Sequence, residues 1–174
     1  MKTLYHSEPI WQGRRIVIDA ADLTAECGYI EVMAMYPDGT DIECFITNDL
    51  EQARIVYDHY CDLAADRPTA ETYTRADWER DGTFKANPGQ LITADVYNDM
   101  LNCMPPYKLP HALRSDGHTK GFLMGEPSSS DAKGLLYMAF IRHGLRYYYY
   151  GLVHLNERLT IKSQAPKQNF REKF

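Results

Sequence analysis

Two neighbouring stretches decide how this chain is read: GLLYMAFIRH at 134–143 and LRYYYYGLVHL at 145–155. Both are rich in aromatic and branched residues that favour strands, and the dipeptide His143-Gly144 between them marks a two-residue turn. Successive side chains of a strand point to opposite faces of its sheet. Four consecutive tyrosines, Tyr147 to Tyr150, therefore supply aromatic surface to both faces. Either the strand is sandwiched between two layers, or one face is a platform for a partner. With the turn at His143-Gly144, Phe140 opposes Tyr147 and Met138 opposes Tyr149 on one face. Tyr137 opposes Tyr150, Ala139 opposes Tyr148 and Ile141 opposes Arg146 on the other. The second face, with Arg146 and His154, is the more polar, which makes Tyr137, Arg146, Tyr148, Tyr150 and His154 the candidate binding surface.

Working outward, GFLMGE at 121–126 supplies the first strand of a three-stranded antiparallel meander. Before it, Thr93 caps a helix over 94–104, with Asp95 suited to its positive end, and Pro105-Pro106 stops it. Residues 67–92 read as a connecting loop pinned by Trp78, with a helical turn at 75–80. Further upstream, Asp49–Ala65 reads as an amphipathic helix, capped by Asn48 with Glu51 completing a capping box. Tyr29–Tyr36 and Asp41–Ile46 flank Pro37-Asp38-Gly39, a hairpin signal, and Arg14–Ile18 is a short strand. The expected fold class is α+β. A β-hairpin-plus-helix lobe (1–66) and the connecting loop (67–92) lead to a helix-plus-sheet lobe (93–155) and a basic tail (156–174). Leu159 and Ile161 suggest an added edge strand in that tail.

The net charge of −5 over 174 residues hides a split. Residues 1–66 are net −9, residues 67–99 net −2 and residues 100–174 net +6. Such asymmetry steers an acidic lobe toward a basic partner or a basic lobe toward nucleic acid, unless the halves simply attract each other. The N-terminus shows no signal-peptide pattern, and no window is apolar over the roughly 20 residues of a membrane helix. Cys27, Cys44, Cys61 and Cys103 include no CxxC pair, so reduced thiols in a cytoplasm are expected.

No constellation names a reaction. Cys103, His111 and His118 carry the residue types of a nucleophilic or zinc site, but at spacings that match no ligand module; Cys103 reads more readily as packing and the histidines as solvated. The chain has no GxxxxGK[ST], GxGxxG or GxSxG motif. No catalytic residue, cofactor or metal is therefore expected. Lys120-Gly121-Phe122 matches the opening of an RNA-binding strand motif, but Glu126 would repel phosphate.

The run Met100-Leu101-Asn102-Cys103-Met104-Pro105-Pro106, then Gly121-Phe122-Leu123-Met124-Gly125-Glu126-Pro127, then Phe140 through Tyr148 resembles small domain-of-unknown-function proteins of bacterial plasmids, phages and conjugative elements. The likeness spans about residues 92–154 and carries over no catalytic residue. It implies an accessory protein of a mobile element, and many of those bind a host or element-encoded protein. The expectation is a non-enzymatic protein that binds another protein, or a second copy as a homodimer, to inhibit a host defence system or regulate element transfer. The alternatives are a nucleic-acid binder using a sheet face and the basic tail, and a Cys/His hydrolase or metal enzyme.

Overall fold

The computed structural model describes residues 1–103, 106–107, 119–124, 129–155 and 161–165. It is α+β, and it divides into two compact units, Met1–Arg67 and Pro68–Phe174.

The first unit is a four-stranded antiparallel sheet with one helix. Strand β1 (Lys2–Ser7) leads into a small hairpin, β2 (Ile10–Trp11) and β3 (Arg14–Arg15), and then β4 (Val17–Leu23), β5 (Tyr29–Met35) and β6 (Asp41–Thr47). The sheet order is β1-β4-β5-β6. In the small hairpin both turn residues, Gln12 and Gly13, have positive φ (53° and 74°), as a type I′ turn requires. The Pro37-Asp38-Gly39 turn forms as its sequence predicts, with Gly39 at φ 88°. Helix α1 (Leu50–Ala64) begins one residue later than expected: Asp49, not Asn48, caps it by accepting the Gln52 N–H.

Cross-strand pairing places Ile18, Ala20, Ile30, Val32 and Ala34 on one face of this sheet, all buried. Helix α1 covers that face with Ala53, Tyr60 and Ala64. Tyr57 of α1 lies 5.2 Å from Tyr5 of β1, and Cys61 Sγ is 3.5 Å from Ser7 Oγ. These contacts fix which side the helix occupies.

The second unit contains α2 (Arg75–Asp81), β7 (Leu91–Ile92), α3 (Ala94–Cys103), β8 (Pro106–Tyr107), β9 (Thr119–Met124), β10 (Ser129–Asp131), β11 (Gly134–His143), β12 (Arg146–Leu155) and β13 (Ile161–Ala165). The expected meander is present as β9-β11-β12, inside a larger sheet ordered β13-β12-β11-β9-β8 with β7 on β12 and β10 on β11. An edge strand in the tail is present as β13, which begins at Ile161; Leu159 lies outside the described residues.

Residues 67–92 do more than connect. Thr74 and Asp77 form a reciprocal capping box for α2, and Gly82 ends it at φ 71°. Gly89 N–H donates to the Tyr149 carbonyl and Tyr149 N–H to the Gln90 carbonyl, so the segment runs alongside β12. Phe84 is its anchor. Its ring meets Tyr73, Trp78, Phe140 and Tyr149 at centroid distances of 5.1, 5.6, 5.3 and 5.3 Å, all steeply inclined to it. Such edge-to-face pairs add about 0.5–1.5 kcal/mol each beyond the area they bury.

Candidate functional site

The β11–β12 ribbon differs from its expected register. His143 pairs with Arg146, Arg142 with Tyr147, Ile141 with Tyr148 and Phe140 with Tyr149, so the turn is Gly144-Leu145. A His143-Gly144 turn of type I′ would force a positive φ on His143. With Gly144 first (φ 57°) only the glycine bears it, the requirement of a type II′ turn. The shift is two residues, which preserves the face of each side chain near the turn.

Further along, the faces exchange. Phe140 pairs with Tyr149, but Ala139 pairs with Gly151, so Tyr150 and Gly151 together oppose Ala139 in a bulge. Gly151 takes φ 124°, a conformation that side chains rarely adopt. Beyond the bulge, Val153 joins Tyr148 and Tyr150 in one cluster with Ala139 and Ile141, against which Tyr137 and Leu91 pack. His154 is thereby turned to the opposite face, where its Nε2 donates to Asp131 Oδ1 at 2.7 Å.

This corrects the expected platform. Tyr137, Arg146, Tyr148 and Tyr150 do share a face, but His154 does not belong to it. Tyr147 to Tyr150 are each only 3–6% exposed, and His154 is 3% exposed. Tyr137 and Arg146 are half-buried. Burial raises the Tyr150 phenol to about 12. All four rings of the tyrosine run are buried, so neither of its faces is an open aromatic platform. Rings buried on both faces cannot stack exposed bases, so these four tyrosines offer no nucleic-acid platform.

His111 and His118 lie outside the described residues, as does the side chain of Cys103, and so does the question of their convergence. Among the described residues no group of three His, Cys, Asp or Glu side chains is arranged to hold a metal ion.

An open surface is found instead on the first sheet, opposite α1. Val17, Asp19 and Ala21 of β4, Glu31, Met33 and Met35 of β5, and Cys44 and Ile46 of β6 alternate with the buried rows and point away from the helix. All remain partly exposed, Ile46 by 54%. The Cys44 thiol is pushed up by burial first and then by Glu31 and Asp41, as expected where both acids lie close to it. At the margin, His6 Nδ1 donates to Asp19 Oδ1 at 2.5 Å and His6 Nε2 lies 3.3 Å from Glu8 Oε1. Arg15 Nη1 is 3.3 Å from Glu8 Oε2. These acids, Asp19 foremost, raise the His6 pKa above its ordinary value.

Along β5 the buried row of Ile30, Val32 and Ala34 is the stronger apolar signal. The signal for the open face lay in the complementary row, where Met33 and Met35 stand at positions that a solvent-facing strand normally fills with polar residues. No helix among the described residues is long and apolar enough to cross a membrane. The chain matches no protein-family model, no curated protein and no solved structure.

Proposed function

We propose that the protein is a non-enzymatic accessory protein that works by binding another protein, and that the first unit supplies the contact. One observation carries this reading: within the first unit the described residues place a helix on one face of the sheet and none on the other. That open face presents methionine, valine, isoleucine and cysteine side chains within an acidic border. A sheet normally buries an apolar face against a second layer. Methionine suits contact surfaces because its flexible thioether adapts to varied shapes. The resemblance to proteins of mobile elements supports a role in inhibiting a host defence system or regulating element transfer.

Affinity capture from a bacterial host with the tagged full chain tests the reading. Wild type is compared with the double variant Met33→Glu/Met35→Glu and with Arg146→Ala on the second sheet. The same captured protein with wild type and Arg146→Ala, lost with the double variant, supports the reading. Capture that survives the double variant and fails with Arg146→Ala overturns it.

A further inference from the structure

We propose that the occupant of the open face is a basic amphipathic helix of the partner protein, an inference that rests on the protein-binding reading and adds the partner's chemistry. The charge on the face selects the sign. Arg15 and His6 are engaged by Glu8 and Asp19, and Arg14 lies over the Tyr36 ring, 4.3 Å from its centroid. Glu31 and Asp41 form no salt bridge among the described residues, and both lie near the Cys44 thiol. The acids thus outnumber the bases around Met33 and Met35, within a segment of net −9 over residues 1–66. A lysine- or arginine-bearing ligand finds complementary charge there, and an acidic one is repelled.

The shape of the site selects a helix. The opposite face of the same seven-residue strands is already covered by α1, a 15-residue helix. Fifteen residues at about 1.5 Å each span about 22 Å, close to the length of seven extended residues at about 3.3 Å each. A partner helix of similar length would cover the open face as α1 covers its own, and would complete a helix–sheet–helix sandwich. A second copy of this chain fits less well. Two open faces brought together would set Asp19, Glu31 and Asp41 of each copy against the same acids of the other.

The test uses the full chain with ¹³C-labelled methionine methyl groups. The probes are two synthetic 16-residue helical peptides with identical leucine spacing, one carrying lysine and the other glutamate on the polar face. The lysine peptide is expected to shift the Met33 and Met35 methyl signals, with affinity falling at least tenfold between low salt and about 0.5 M salt as charges are screened. The glutamate peptide is expected to leave them in place. Equal response to both peptides, no response of these two methyls, or shifts that depend only on the protein's own concentration would each overturn the proposal. Host capture that depends on Met33 and Met35 while the methyls ignore the lysine peptide removes the basic helix and leaves the protein-binding reading standing. A methyl response with capture that survives Met33→Glu/Met35→Glu overturns both, because the face would then take a basic helix in vitro without being the contact used in the host.

Discussion

Replacing Phe84 by alanine tests whether residues 67–92 are structure or linker. The Phe84 ring touches four other rings, Tyr73, Trp78, Phe140 and Tyr149, so its removal leaves a gap at the junction of that segment with the second sheet. Phenylalanine-to-alanine changes in cores cost about 3–5 kcal/mol. Phe84 itself is only half-buried, which places the expected loss at the lower end, about 3 kcal/mol. With a urea slope of about 2 kcal/mol/M, the midpoint falls by about 1.5 M. Near-UV circular dichroism is the suitable probe, because Trp78 stands edge-on to the same ring and reports its environment. Phe84→Leu keeps most of the apolar volume without the ring and should lose roughly half as much. A midpoint change below about 0.3 M for Phe84→Ala would refute the assignment and return the segment to a loop.

Other consequences follow from the ionisable groups. Protonated His6 is held by Asp19 and Glu8, and its pKa is raised above 6.5. Its contribution is therefore complete below the unfolded value and is lost as pH rises through the higher folded value. An NMR titration should show this midpoint, and Asp19→Asn should lower it; an unchanged midpoint would break the assignment. Burial lifts the phenols of Tyr97 and Tyr150 to about 12, from 10.0 when free. The stability that comes with the neutral phenols is present below pH 10 and lost between there and about 12. Absorbance titration should thus show late tyrosines, Tyr97 and Tyr150 among them, that ionise only as the fold opens, and ionisation of all thirteen at the free value would contradict their burial. Asp131 is held below its ordinary 3.8, first by the Lys133 N–H and then by His154. That contribution is present above the unfolded value and lost as pH falls through the lower folded one. Asp131→Asn should flatten the acid side of the stability profile measured by thermal melts, and an unaltered profile would show the pair to be idle.

Much of this architecture is visible in the residues. The Pro37-Asp38-Gly39 hairpin, the α1 periodicity and the apolar runs of β11 and β12 each carry a local signal strong enough to survive tertiary context. Strand β1 was not visible, because an edge strand such as KTLYHS needs few apolar residues and the N-terminus reads as plainly polar. The two-residue β7 makes sense only beside β12. The bulge at Tyr150-Gly151 had a cue in the glycine itself, since an isolated glycine within a strand often marks one. Taking the strand as regular carried His154 to the wrong face. Strict alternation also leaves open whether a second aromatic row meets solvent or another layer. Burial decides that, and in β12 both rows are buried.

The proposed contact is the open face of the first sheet and not the tyrosine ribbon. Photo-crosslinking in a bacterial host measures this directly, with p-benzoylphenylalanine placed at Met33 in one strain and at Tyr137 in another. A discrete adduct from position 33 and none from position 137 is the predicted result. An adduct from position 137 alone would contradict the claim and return the contact to the second sheet.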